Sequence, residues 1–265
     1  NDGDALALTD HGHMNGLPHQ VLHARKMQAS GKNFKPIFGV EAYFNPSLDQ
    51  WREQYEKAKK EKKKGIKNEI ELSIEDERAS KQKVVDILKK RNHLILLAQN
   101  QTGLNNIFKL ISESYKGENF YRYPRIDYEL LSLYNSGVIA SSACLGGVYA
   151  GDYWDHKDFG SAAVINAMRQ TTERMKAIFG DRWYGEIQWN NIPEQHELNQ
   201  YIIQICREYD VKLISTADSH YPNPDAWKDR ELYKRIGWMG KGGLPEYMSA
   251  ELPSGVEEIG YELYP

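Results

Sequence analysis

The chain has 265 residues, 40% of them hydrophobic, with two cysteines and a formal net charge of -3. This is the size of a single α/β barrel with one sizeable core; two cysteines exclude a disulfide framework, and the slight negative charge excludes global attraction to a polyanion, leaving local patches or bound cations. No stretch approaches the roughly 18 consecutive apolar residues of a membrane span, and the first residues lack the basic-then-apolar order of a signal peptide, so a soluble, cytoplasmic protein with no membrane partner is expected.

Short apolar runs alternate with helical patterns along the chain. Ala5 to Leu8 reads as a strand that exits at Thr9-Asp10-His11-Gly12, followed by a helix from Gly16 to Ser30. His19 and His23 share one face of that helix, a spacing that can bind metal, but no acid is at hand and they read as surface residues. Pro36 to Val40 is a second strand, ending at Glu41. Between Asn45 and Gln82 the alternation stops, and Glu53 to Lys67 reads as a solvated, mobile, Glu/Lys-interleaved helix rather than a lysine arm on a phosphate backbone.

His93 to Ala98 forms the next strand and opens on a histidine, with a helix from Thr102 to Tyr115 and another from Ile126 to Tyr134. Gly137 to Ser142 is a strand that ends at Cys144, and a helix runs from Phe159 to Phe179. Trp183 to Gln188 carries Glu186, which reads as a core carboxylate; Pro193 to Tyr209 is a helix in which Cys206 reads as a buried, inert thiol. Val211 to Thr216 exits at Asp218 and His220, and a last helix spans Pro222 to Met239. After Gly240 the sequence turns rich in Gly, Pro and Glu without periodicity, so residues 1–240 are expected to form the barrel domain, with 46–82 as a charged insertion and 241–265 as a tail or linker.

Alternation of this kind argues for a parallel sheet with helical crossovers. Closed into a barrel, such strands bring their C-terminal ends to one face, where loops build the site. Acids and imidazoles recur at those strand exits. Taken singly, Glu41, His93 and Cys144 would each be read as structural, while for His11, Asp218 and His220 the recurrence of such motifs puts metal ligation ahead of hydrogen bonding at strand exits. Paired divalent ions about 4 Å apart can generate a nucleophile at neutral pH and offset negative charge that builds on a reacting group. A mixed His, carboxylate and Cys donor set suits Zn or Mn better than Mg. Arg125, beside Pro124, is expected to clamp substrate phosphate through its planar fork, and His13 is near enough to serve beside the site.

Thr9-Asp10-His11-Gly12, Gly39-Val40-Glu41-Ala42-Tyr43, Asn92-His93-Leu94, Ala143-Cys144-Leu145-Gly146-Gly147 and Asp218-Ser219-His220-Tyr221 occur in this order, and with them the chain resembles the polymerase and histidinol phosphatase (PHP) domain found at the N-terminus of bacterial DNA polymerase III alpha subunits. Asp127-Tyr128-Glu129-Leu130-Leu131 and Asp229-Arg230-Glu231-Leu232 fit the same match. The resemblance implies a distorted seven-stranded (β/α) barrel holding up to three divalent metals, zinc or manganese, with phosphoesterase chemistry. It implies metal ligation by His11, Glu41, His93, Cys144, Asp218 and His220, with Asp10 close behind His11 and Asp10, His11, Asp218 and His220 as the catalytic group.

The family's first motif, a His-x-His pair followed by an acid, is absent because the sequence starts downstream of it; the expectation is a barrel lacking its first strand and holding fewer metals. Asp2-Gly3-Asp4 matches the turn before the second strand, which favours truncation over an open edge that pairs with another copy of the chain. The implied partners are the single-stranded 3' end of DNA, reached through the parent polymerase, and other polymerase III domains or subunits. Two rival roles remain open, a catalytically silent docking domain of the polymerase and a free-standing histidinol-phosphatase-like phosphomonoesterase.

Overall fold

The structure, a computed structural model, describes residues 3–67, 89–240 and 243. The second half of the charged insertion and nearly all of the 241–265 tail lie outside the described residues. The chain divides into two compact units, Asn1–Tyr184 and Gly185–Pro265.

In the first unit the elements are β1 (Ala5–Leu8), α1 (Leu17–Ala29), β2 (Lys35–Phe44), α2 (Leu48–Lys67), β3 (Asn92–Ala98), α3 (Gln101–Ser114), β4 (Phe120–Tyr121), β5 (Tyr123–Ile126), α4 (Tyr128–Tyr134), β6 (Val138–Ser141), α5 (Val148–His156) and α6 (Ser161–Phe179). The strand β7 (Trp183–Gln188) begins here. The second unit continues β7 and adds α7 (Pro193–Glu208), β8 (Lys212–Thr216) and α8 (Trp227–Met239).

The expected parallel sheet is corrected to a mixed one. β2 pairs in parallel with β1 and β5, but β3 runs antiparallel to both β2 and β6, and β4–β5 is an antiparallel hairpin. β6 then pairs in parallel with the first two residues of β7, Trp183 and Tyr184. β3 follows the charged insertion, and an antiparallel neighbour needs no single crossover helix before it.

Two helices start on a side chain that accepts from a first-turn amide. The Asn100 carboxamide oxygen accepts from Gly103 N at 3.0 Å, and the Asp127 carboxylate accepts from Leu130 N at 3.0 Å, each an N-cap of the expected kind. Asp127 also accepts from Leu48 N at 3.1 Å, tying the start of α2 to the start of α4. The charged helix is therefore anchored: it begins at Leu48, five residues before the lysine-rich run, and Leu48 and Trp51 are buried.

Leu94, Leu96, Ile107, Leu110, Leu131, Val138, Val164 and Met168 are buried within the first unit, where the sheet meets α3, α4 and α6. In the second unit α7 buries Leu198, Ile202, Ile205 and Cys206. Burial pushes the Cys206 thiol up to about 12, in keeping with an inert thiol. Glu186 is a buried carboxylate, accepting from Thr216 Oγ1 at 2.5 Å and Gln188 Nε2 at 3.2 Å.

Arg125 departs from expectation. Its side chain is fully buried, its guanidinium donates to the carbonyls of Lys90, Tyr121 and Tyr123, and it lies 4.6 Å from the Trp51 ring centroid. Burial lowers its pKa to about 10. The phosphate clamp expected at this position is thus corrected to a core residue holding the β4–β5 hairpin to the segment before β3 and to α2. Sequence could show that an arginine sat beside Pro124, but not that three carbonyls would converge on it.

Two stability predictions follow from buried charge. Replacing Arg125 with methionine leaves those carbonyls without their donor, and we expect a loss of about 2–3 kcal/mol by chemical denaturation. Asp152, on α5, has a pKa raised to about 6, chiefly by burial. Its Oδ2 has no hydrogen-bond partner and Thr171 bonds its side chain. Because the folded pKa lies above the unfolded value near 3.9, ionisation destabilises the fold as pH rises from about 4 to above 6. Asp152→Asn should match the wild type at pH 4 and exceed it by about 2 kcal/mol at pH 7, as read from urea midpoints at the two pH values.

Candidate metal centre

The site grows from backbone register. β1 pairs with β2 from Ala5↔Lys35 to Leu8↔Phe38, and an isolated parallel bridge between His11 and Glu41 carries that alignment past the end of β1. Glu41 N donates to the Asp10 carbonyl at 3.1 Å and Gly12 N donates to the Glu41 carbonyl at 2.8 Å. Gly12 has φ 71° and a Cβ there would stand 3.0 Å from both Pro124 Cγ and Tyr43 Cε2, so only glycine allows the turn after His11 to lie against these residues.

Glu41 lies inside β2, not at the end of a strand as expected, because β2 continues to Phe44. The antiparallel β2–β3 register sets Tyr43 opposite His93 and Glu41 opposite Ile95. Glu41 and His93 are thus diagonal neighbours, within reach across a sheet face. His93 belongs to the start of an antiparallel strand, which is how it joins residues at the ends of β1 and β6. Beyond β6, Ala143 adopts φ 60° and Cys144 follows. Gly147 N donates to the Cys144 carbonyl at 2.8 Å, and His93 N donates to the Gly146 carbonyl at 2.7 Å. A Cβ on Gly147 would fall 1.9 Å from the Ser142 carbonyl oxygen, so the Gly146-Gly147 pair is what lets this loop close on His93.

The result is a compact donor set. Glu41 Oε1 lies 2.5 Å from His93 Nδ1 and 3.7 Å from His11 Nδ1. Cys144 Sγ is 3.4 Å from His93 Nδ1 and 3.9 Å from Glu41 Oε1. One donor atom from each of His11, Glu41 and His93 falls within 4.8 Å of the others. The Glu41 side chain is 6% exposed, against 43% for His11 and 21% for His93, so a buried carboxylate sits below two more open imidazoles.

This set fits a divalent cation. Ligands around one tetrahedral zinc, bonded at 2.0–2.3 Å, stand roughly 3.4 Å apart, close to the His11–Glu41 and Cys144–His93 separations. The Glu41–His93 contact is shorter and is a charge-assisted hydrogen bond in the structure as it stands; the two side chains would part by about 1 Å to share an ion. Among the described residues the group able to hold a metal is His11, Glu41 and His93, and Cys144 stands beside two of them.

The remaining expected residues fall as follows. Asp10 holds the loop: its Oδ2 accepts from Gly16 N at 2.8 Å and lies 3.8 Å from His13 Nδ1. Asp218 and His220 belong to the second unit. Asp218 adopts φ 50°, and its carbonyl accepts from His220 Nδ1 at 2.6 Å, with Asp218 Oδ1 3.9 Å from the same nitrogen. His19 and His23 are exposed, as expected, and so is His196.

Sequence reasoning missed the neighbours of the donor set. Tyr43 lies parallel to His11, with ring centroids 6.0 Å apart, and sits 5.6 Å from His93. Burial raises its pKa, opposed by Arg91. The Arg91 guanidinium lies 3.7 Å from the Tyr123 ring centroid and 5.1 Å from that of Tyr43. The one signal available was position: Tyr43 is two residues beyond Glu41, and Arg91 two before His93.

Comparison with known proteins bears on the same residues. The sequence model of the PHP domain matches residues 2–190. The DNA polymerase III subunit alpha of Aquifex aeolicus is 38% identical over 224 residues, covering 83% of this chain and 16% of that protein. The corresponding subunit of Campylobacter jejuni is 32% identical over 241 residues, covering 89% of this chain and 17% of that protein. That of Deinococcus radiodurans is 31% identical over 217 residues, covering 82% of this chain and 13% of the relative. The chain thus spans about a sixth of the length of the relatives it matches. With a family match over most of its length, and a donor cluster built from residues inside that match, this chain belongs to the PHP domain family.

Proposed function

We propose that this chain is a metal-dependent phosphoesterase domain of a DNA polymerase III alpha subunit, of the kind that removes nucleotides from a 3' end or hydrolyses pyrophosphate. The observation that carries the reading is the convergence of His11, Glu41 and His93, from three strand regions, on a single small volume, with Cys144 from a loop beside Glu41 and His93. PHP domains are in general metal-dependent hydrolases, and the relatives are DNA polymerase III alpha subunits. In this reading 46–82 is an insertion in the domain and 241–265 lead toward later domains.

Bound zinc or manganese would supply a water-derived nucleophile near neutral pH and compensation for phosphoryl charge. The chain's own residues do the rest. Glu41, buried below the imidazoles, would offer an anionic oxygen to a cation, and His11 and His93 would hold it from the more open side. Asp10, through its carbonyl and its carboxylate, fixes the loop that presents His11. Tyr43 packs beside both imidazoles and limits their rotation, which preserves the donor geometry.

Metal content decides between this reading and a silent docking role. Chain purified without chelators should carry divalent metal by elemental analysis and hydrolyse a small phosphoester. His11→Ala combined with His93→Ala should lose that metal and more than about 100-fold of the hydrolysis, with an unchanged circular dichroism spectrum. Wild-type chain without metal or turnover would leave the docking role. Cys144 gives a separate check. In chelator it should react with a thiol reagent while Cys206 stays inert until the fold is denatured, and added zinc should protect Cys144; equal reaction rates with and without zinc would remove Cys144 from the ligand set.

A further inference from the structure

Residues of α4, α5 and α6 line a cleft of about 420 Å³, and none of them belongs to the metal donor set. The cleft has the size of an ordinary small-molecule site. We propose that it binds a small zwitterion, a molecule carrying an ammonium group at one end and a carboxylate or phosphate at the other.

The floor of the cleft is one face of α6. Val164, Met168, Met175 and Phe179 bury the opposite face in the core, while Ala163, Asn166, Ala167, Gln170, Thr171 and Arg174 recur at helical spacing along the cleft. A helix face turned to water is ordinarily dense in charged residues. This one carries two methyl groups, two carboxamides and a hydroxyl before its single charge. The alanines leave space, and the carboxamides offer both donors and acceptors to whatever occupies it.

Two opposite charges border that neutral floor without pairing. Asp152, from α5, lines the cleft beside Thr171, which hydrogen-bonds both its carboxyl and the Tyr128 side chain. The Asp152 Oδ2 is closed off without a partner, and burial raises the pKa only to about 6, so at neutral pH the group is mostly an anion with one oxygen unsatisfied. Rotation about the soft χ2 exchanges the two oxygens, which lets a donor in the cleft bond the one now bare. Lys90, Asp155 and His156 also act on this carboxylate, but Lys90 is already paired with Asp155 at 2.9 Å. Arg174 stands three residues beyond Thr171, about 4.5 Å along the helix axis. Its guanidinium is 5.3 Å from the Tyr128 ring centroid, it is exposed, and among the described residues it has no ion pair. An ammonium would give Asp152 the donor it lacks, and a carboxylate or phosphate would meet the planar fork of Arg174. A ligand with one charge alone would satisfy one of these groups and be repelled by the other.

The test is titration of the nitrogen-15-labelled chain at neutral pH with 6-aminohexanoate and with 3-aminopropyl phosphate, one probe for each anionic head, followed through the side-chain amide resonances of Asn166 and Gln170. Hexylamine and hexanoate serve as single-charge controls. We expect at least one zwitterion to shift these resonances with a Kd below about 1 mM, and each control to bind at least about tenfold more weakly. Asp152→Asn and Arg174→Gln should each weaken the zwitterion by at least about tenfold. Asp152→Asn is expected to be the more stable fold, so its loss of binding would not come from unfolding, and metal content should stay at the wild-type value in both variants. Whichever probe binds more tightly assigns the anionic head. Resonances unmoved by both zwitterions, wild-type affinity in either variant, or controls that bind as tightly as the zwitterions would overturn the proposal.

Discussion

The antiparallel pairing of β2 with β3 is the constraint on which the rest of the site depends. Tyr43 opposite His93 fixes Glu41 on the diagonal, 2.5 Å from the imidazole. A slip of one residue would turn His93 to the other face of the sheet and remove it from the site altogether. Register of this kind is strongly specified because Val40, Ala42, Leu94 and Leu96, on the opposite face, are buried in the core. Packing on one side of the sheet therefore positions chemistry on the other.

Around that pair the other groups are held by backbone and not by side-chain choice. The His11–Glu41 bridge, the Gly12 turn against Tyr43 and Pro124, and the Gly146-Gly147 closure on His93 each bring a donor up by main-chain hydrogen bonds. Side chains alone could not be relied on for this, since long flexible groups must lose rotamer freedom to converge. Arg125 belongs to the same supporting frame, fastening the hairpin to Lys90, one residue from Arg91 and three from His93.

Much of this was legible in the residues. The strands at Ala5–Leu8 and Trp183–Gln188 have the expected bounds, and most helices begin and end within two residues of the patterns that predict them. His11, Glu41, His93 and Cys144 were marked by their place at the edges of apolar runs. The reversal of β3 was not legible, because an apolar strand carries no sign of its direction. The β4–β5 hairpin was hidden by strands of two and four residues containing Pro124, too short to show alternation. α5 was hidden by the glycines in and before it, which read as loop. Arg125 misled because a cationic fork has the same sequence signature whether it meets phosphate or buried carbonyls. The convergence itself came from family resemblance and not from periodicity, since bonding distance between residues 11 and 144 leaves no local trace.

Diffraction from crystals of the chain grown with zinc, using anomalous differences at the zinc edge, tests the central claim most directly. The account predicts a peak within about 2.0–2.3 Å of donor atoms from His11, Glu41, His93 and Cys144. A zinc peak elsewhere, with Glu41 and His93 still bonded to each other and to no ion, would contradict it.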